Sequence, residues 1–403
     1  MGEGIQNSNN FTKMKFLVLL IGVAVAFAED SSVLQNFSEG YIQFSADVYK
    51  ELLKSHSGNF LVCPLSVETV LALAHIGAGG DTAKQITKAL HLPEDKHAIQ
   101  QIFEELIPKL EGDDKYDLSS ANKIYVKKNF EISKDFKNTA INSFNSEIEN
   151  IDFNQNSEAA SVMNNWVEEK THNKIKDLIS KDDLNEDTRA VLINALYFHG
   201  KWVTQFDVKD TEKKTFHVTN EKETKVDMME QTSSFKYYES SELNAKFLEM
   251  PYKGKDVTMT IVLPNDIEGL SSLEEKIANV LRQPEYRTEK VHVQIPKFKI
   301  ESKIQFKDIL VKLGVVNAFE DFADFSGIGA AKDRLKISKI VQKTFIEVEE
   351  KGTTAAASTA LFVENIRSGH VYIPPKEFKA NHPFIYYLRS PAGILFIGRY
   401  MEG

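Results

Sequence analysis

Ten histidines, one cysteine and 58 acidic residues are the raw material for catalysis in this chain of 403 residues, and their spacing does not assemble a familiar site. There is no G-x-S-x-G elbow, no H-E-x-x-H, no phosphate-binding G-x-x-x-x-G-K and no G-x-G-x-x-G, and the lone Cys63 removes thiolate metal clusters. No two histidines stand at the i, i+4 spacing that a helical metal site uses; His91, His97 and His370 read as surface or core residues. The acid pairs Asp182-Asp183 and Glu349-Glu350 are adjacent in sequence, so their side chains diverge and no general acid and base can be assigned. No metal and no cofactor is expected.

The unusual chemistry lies in a segment without catalytic residue types, Glu349-Glu350-Lys351-Gly352-Thr353-Thr354-Ala355-Ala356-Ala357-Ser358-Thr359-Ala360-Leu361-Phe362-Val363. It follows a strand pattern, Thr344 to Val348, and runs into Glu364-Asn365-Ile366-Arg367-Ser368-Gly369. As a plain linker, its Ala/Ser/Thr content suffices but the apolar tail is unexplained. As a latent strand, Thr353, Ala355, Ala357, Thr359, Leu361 and Val363 share one face and none is charged. Small neutral side chains are what a strand needs to enter between two others, because an unpaired charge carried into that position is prohibitively costly.

The elements that would hold such a segment read as α+β. Phe44, Val48, Leu52 and Leu53 recur on one helical face, Val67 to Leu73 continue that period after Pro64, and Ile99, Ile102, Phe103 and Leu106 mark an amphipathic helix that Pro108 should end. Val191 to Phe198 is a nearly continuous apolar run, suited to a strand covered on both faces. Val257 to Leu263, Val291 to Ile295 and Ile394 to Ile397 are further strands. Helices are expected first and strands later, around one large domain, since Gly and Pro are sparse and no low-complexity block marks a linker.

The formal net charge of -9 argues against a nucleic-acid-binding role. Two lysine clusters, Lys123 with Lys127 and Lys128, and Lys209 with Lys213 and Lys214, read either as solvated surface or as a site for a sulfated polysaccharide such as heparin. Lys15 followed by about a dozen apolar residues and then Ala26-Phe27-Ala28 reads as a signal peptide over 1–28, with Met1 or Met14 as its start. The run is short of the roughly 20 residues a membrane span needs, so a secreted chain beginning near Glu29 is expected. Asn36-Phe37-Ser38 is then a glycosylation acceptor, and Cys63, unable to form an internal bridge, reads as a buried small hydrophobe.

Several motifs in order resemble the serpin family over about residue 38 to Gly403. Asn59 to Ser66 (NFLVCPLS) resembles its N-x-x-x-S-P-x-S, and Asn194 to Trp202 (NALYFHGKW) its N-A-x-Y-F-K-G-x-W. Leu248 to Tyr252 resembles L-x-x-P-Y, Ile295 to Phe298 resembles x-P-K-F, Glu350 to Thr359 resembles the mobile hinge, and Asn381 to Phe384 with Leu395 to Arg399 the C-terminal signature. The resemblance implies about nine helices around three β-sheets, with a reactive loop at about 350–372 exposed above them. It also implies a monomer that acts as a suicide substrate: a serine protease attacks the loop, and at the acyl-enzyme stage the loop inserts as a new strand and traps the protease covalently.

Trp202, Lys297 and Glu350 match the positions where the family's sheet admits the hinge, so a contact between Lys297 and Glu350 is expected. Where the sheet parts, Ser66 and Asn194 are kept, but Cys63 replaces the usual serine and Gln342 the usual histidine, so hydrogen bonding there must be rearranged. The family's loop length puts the scissile bond at Ile366–Arg367, whereas chemistry prefers Arg367–Ser368, whose guanidinium suits the acidic pocket of a trypsin-like protease. The first cut would suit elastase- or chymotrypsin-like targets. The resemblance to secreted invertebrate haemolymph serpins suggests restraint of an extracellular cascade of the immune or clotting type; the rival reading is a non-inhibitory carrier or storage serpin.

Overall fold

The computed structural model describes residues 36–110, 116–254, 257–330, 334–352 and 374–403. In chain order its first half carries α1 (36–53), β1 (Phe60–Val62), α2 (Pro64–Gly77), α3 (Gly80–Leu90), α4 (Lys96–Leu106), β2 (Tyr116–Lys127), β3 (Glu131–Ile132), α5 (Lys134–Phe144), β4 (Glu147–Ile151), α6 (Asn156–Lys170) and β5 (Ala190–Gly200). Next come β6 (Glu212–His217), β7 (Glu223–Ser240), β8 (Ala245–Pro251), β9 (Thr258–Pro264), α7 (Leu270–Glu275), α8 (Ile277–Val280) and β10 (Arg287–Pro296). The chain finishes with β11 (Phe298–Gln305), α9 (Phe306–Lys312), β12 (Gly329–Ala330), β13 (Ile337–Val348), β14 (Lys376–Lys379), β15 (Phe384–Ser390) and β16 (Gly393–Tyr400).

The strands form a nine-stranded sheet, a five-stranded sheet in the order β11-β13-β5-β2-β4, and a two-stranded ribbon. The chain is thus α+β with three sheets among the described residues, although the third is only the pairing of β3 with β12. One expectation fails: strands do not wait for the second half. β2 is a long strand of the five-stranded sheet within the first third, and its sequence YDLSSANKIYVK hides it because Asn122 and Lys123 are buried by polar partners rather than by apolar ones. The helix marked by Ile99 to Leu106 ends just ahead of Pro108: α4 stops at Leu106 and the chain tightens into a 3₁₀ turn over Ile107–Leu110 that contains the proline.

β5 is mostly apolar because it is covered on both faces. Leu192, Leu196 and Phe198 join the main core, where α2 lies buried at every residue but Ile76. Val191, Ile193, Ala195 and Tyr197 face the other way and pack in a second core with Met163 and Val167 of α6 and Ile175, Leu178 and Ile179 of the segment after it.

The C-terminal signature is structural. Arg399 donates from Nη1 to Glu274 Oε1 at 2.9 Å, from Nη2 to His56 O at 2.7 Å and from Nε to Gly58 O at 3.0 Å, and Tyr49 OH donates to the same Glu274 oxygen at 3.0 Å. Both charged side chains are buried. Arg399→Ala would leave Glu274 a buried carboxylate without its cation and is expected to cost about 3–5 kcal/mol, read as a lowered urea midpoint at unchanged slope; an unshifted midpoint would refute the assignment.

Candidate functional site

The joint between β5 and β13 is where the family resemblance expects the five-stranded sheet to part. The two strands are parallel, a pairing slightly weaker per residue than the antiparallel one. Their register runs from Ile337 opposite Ala190 to Phe345 opposite Tyr197 and stops there, although β13 continues through Val348 and β5 through Gly200. That is the last register pair between the two strands.

Lower down, one polar network crosses the joint. Gln342 on β13 accepts from Cys63 N at 2.9 Å and donates to Cys63 O at 2.8 Å and to Asn194 Oδ1 on β5 at 2.6 Å. Asn194 Nδ2 donates to Ser66 Oγ and to Asn122 Oδ1 on β2, and Ser66 Oγ donates to Asn122 Oδ1 at 3.1 Å. All four side chains are buried, and each is neutral at any physiological pH. Three neighbouring strands and the start of α2 are therefore tied by a single hydrogen-bonded chain. This is the rearrangement expected from Cys63 and Gln342: the long amide reaches the Cys63 backbone itself, while the cysteine Sγ accepts from Ser66 N at 3.4 Å and caps α2. Burial pushes the Cys63 thiol up to about 12, so it stays protonated.

At the top of β13 the chain enters a second cradle. Trp202, stacked on Tyr252 at 4.1 Å between ring centroids, donates from Nε1 to Glu349 O at 2.9 Å and from its backbone N to Lys351 O at 3.3 Å. Phe206 N donates to Glu350 O at 2.9 Å and Gln205 Nε2 to Lys351 O at 3.1 Å. The Glu350 carboxylate meets Lys297 Nζ at 2.8 Å and accepts from Thr211 Oγ1 at 2.9 Å. Burial raises this carboxyl, but Lys297, the residue's own backbone N–H and Thr211 outweigh it and hold the group below the usual range. The clasp is therefore charged at neutral pH and is lost only as pH falls through the carboxylate range. Lys297 is fixed because it is the one residue between β10 and β11, where the chain crosses from the nine-stranded to the five-stranded sheet, and its own N–H donates to Asp227 O at 2.8 Å.

Gly352 ends this described stretch at φ +82°, and a Cβ there would lie 2.4 Å from Gly200 O and from Trp202 N. Only glycine fits. The family resemblance thus grouped Trp202, Lys297 and Glu350 where the hinge is admitted and Cys63, Ser66, Asn194 and Gln342 where the sheet parts, and gave Gly352 only as a hinge residue. It missed Asn122, Gln205 and Thr211, which carry no local pattern and are recruited by strand register and loop path. The hinge residues Thr353 to Thr359 and the bonds Ile366–Arg367 and Arg367–Ser368 lie outside the described residues, as does the leader expected over 1–28; Asn36 is exposed at the start of α1.

The segment following α6 straps the joint from outside. Lys343 on β13 donates to Lys176 O at 2.6 Å, Lys339 pairs with Asp183, and Arg189 N donates to Ser338 Oγ at 2.9 Å. The two lysine clusters are largely neutralised: Lys123 pairs with Glu147 and Glu149, Lys128 with Asp152, Lys213 with Asp227 and Lys214 with Glu230, while Lys127 donates to Glu186 O. One hydroxyl–imidazole–carboxylate row exists, Thr232 Oγ1 at 3.0 Å from His292 Nδ1 and His292 Nε2 at 3.3 Å from Glu230 Oε1, but it lies along an outward sheet face with Lys214 already on the glutamate.

A family model described as "Serpin (serine protease inhibitor)" matches residues 39–403. The chain is 36% identical over 397 residues to "Antitrypsin" of Bombyx mori, covering 96% of this chain and 100% of that one. It is 37% identical over 374 residues to "Antichymotrypsin-2" of the same species, covering 91% and 98%. Among solved structures it resembles Serpin48, described as a highly specific serpin of the insect Tenebrio molitor, at 44% identity and a TM-score of 0.84, covering 92% of this chain and 98% of that one.

Proposed function

The chain belongs to the serpin family, whose members are generally serine protease inhibitors, and from that premise we propose that it is a secreted suicide-substrate inhibitor of trypsin-like proteases, cleaved at Arg367–Ser368. The observation that carries this reading is the joint: two parallel strands lose their register above Phe345 and Tyr197, beside a glycine turn from which the loop departs. A strand returning from the top of β13 would run antiparallel to both β13 and β5. One parallel pairing would be replaced by two antiparallel ones, and backbone groups left to water would enter the ladder. Burying Leu361 and Val363 adds roughly 1.5–3 kcal/mol each.

In chemical terms the protease serine attacks the Arg367 carbonyl, the peptide bond to Ser368 breaks, and the new amine leaves with its proton supplied by the protease histidine. The ester left on Arg367 is what insertion must outrun hydrolysis to trap. The uncleaved form is then a kinetically trapped state, held by the Gln342 network below and the Lys297–Glu350 clasp above.

Incubation of the purified protein with trypsin and with elastase tests this on a denaturing gel with mass analysis of the released peptide. A stable complex and a peptide starting at Ser368 are expected. A peptide starting at Arg367 moves the bait bond to Ile366–Arg367, which the family's loop length favours and which would suit elastase- or chymotrypsin-like targets. Cleavage without complex would replace the inhibitory reading by the carrier or storage one. Secretion, with restraint of an extracellular cascade, rests on the leader at 1–28, and a glycan at Asn36 is accessible in the exposed start of α1. The paired lysines give a heparin-like cofactor little support.

A further inference from the structure

The mouth of the joint carries a titratable residue. Side chains alternate along a strand, so above Tyr197 the next residue of β5 on the α6 side is His199, and above Phe345 the next on β13 is Glu347. Tyr197 and Phe345 form the last registered rung, with ring centroids 5.7 Å apart. The His199 ring stacks on Tyr197 at 6.0 Å and 24°. Its register partner on β2 is Asp117, which lies 3.9 Å from His172 Nε2 of the segment after α6, and Lys174 of that segment sits over the Tyr197 ring at 5.7 Å. Lys299 of β11 is the register partner of Glu347. His199, Asp117 and Glu347 are half-buried, so their charges are only partly screened.

On the premise that the chain inhibits by loop insertion, we propose that His199 is a positioning residue that gates the mouth of the five-stranded sheet: when protonated it holds the upper ends of β5 and β13 together through Glu347 and Glu349 and delays entry of the loop. At the last registered rung the closed strands are neighbours at about 4.8 Å; with a strand between them they are about 9.6 Å apart, and the hinge side chains that would then come between His199 and the carboxylates are neutral Thr and Ala. The proton is therefore held more tightly by the closed sheet than by the inserted one, and by linkage insertion slows as pH falls. Asp117 is present on the β5 side in both states and does not discriminate between them. Burial and then Lys174 depress protonation of His199, against Asp117, Glu349 and Glu347, so the gate engages only below the ordinary imidazole range and is open at neutral pH.

The test compares full-length protein with His199→Gln and His199→Lys. With a target protease whose deacylation is fast enough to raise the stoichiometry of inhibition above one, that excess equals deacylation divided by insertion. For two variants against the same protease at the same pH deacylation cancels, and the ratio of excesses is the ratio of insertion rates. His199→Gln should match the wild type at pH 8 and insert about threefold faster at about pH 5.5, whereas His199→Lys should insert about threefold slower than wild type already at pH 8. Ratios that stay flat with pH, or a lysine variant equal to wild type at pH 8, would overturn the gate while leaving the inhibitory function standing. A wild type that forms no covalent complex at pH 8 overturns the inhibitory reading itself and the gate with it.

Discussion

Thr353→Arg is expected to convert the protein from an inhibitor into a substrate: cleavage of the loop at an unchanged rate, but no stable complex with the protease. Thr353 is the first residue beyond Gly352, whose cradle leaves no room for a Cβ and so fixes where the turn off β13 occurs. An arginine there must pass into a sheet that packs the apolar core of Tyr197, Phe345 and Val341 below its partly charged mouth on the α6 side and the main core on the other. Burying that unpaired guanidinium costs several kcal/mol. Slowing insertion by even about 3 kcal/mol lengthens the acyl-enzyme's exposure to water roughly a hundredfold, enough for hydrolysis to win. The measurement is the ratio of complex to cleaved protein on a denaturing gel. A variant that still forms complex one-to-one would mean that the trap does not work by strand entry beside β13.

The second large effect is expected at Gln342. Gln342→Leu keeps the volume close but removes the bonds to Cys63 N, Cys63 O and Asn194 Oδ1. Each group left buried without a partner costs about 1–3 kcal/mol, so a loss of about 3 kcal/mol or more is expected in urea unfolding. The same change cuts the side-chain link between register partners on β13 and β5. Conversion on mild heating to loop-inserted or polymeric forms should therefore speed up together with the loss of stability. If stability falls but the conversion rate does not, Gln342 is a packing residue and not a lock on the joint. An unchanged urea midpoint would deny it either role.

The clasp at Glu350 and the network at Gln342 were legible to different depths. Glu350 and Lys297 stand 53 positions apart, and only the resemblance of their flanking motifs paired them; their contact at 2.8 Å is as expected. The residues that complete the clasp, Gln205 and Thr211, sit in a segment of mixed polarity that no periodicity marks. Among the strands, those with one dominant burial mode were legible: β5 by its nearly continuous apolar run, and β9 by its apolar run and the turn that follows it. β2 was not, because Asn122 and Lys123 at its centre are buried by hydrogen bonds and ion pairs, which interrupt the hydrophobic period.

By itself the sequence determined the fold class, because apolar periodicity is a property of residues taken in order, and it offered the uncharged segment from Thr353 to Val363 as either a linker or a latent strand. Only the tertiary structure decided which two strands a returning loop would have to enter between. That depends on β5 and β13 being parallel neighbours whose register ends at Phe345 and Tyr197, and on a neutral amide network converging from β2, β5, β13 and the start of α2. Strand order and register are set by the packing of residues far apart in the chain, and a contact between them has no signature in either neighbourhood alone.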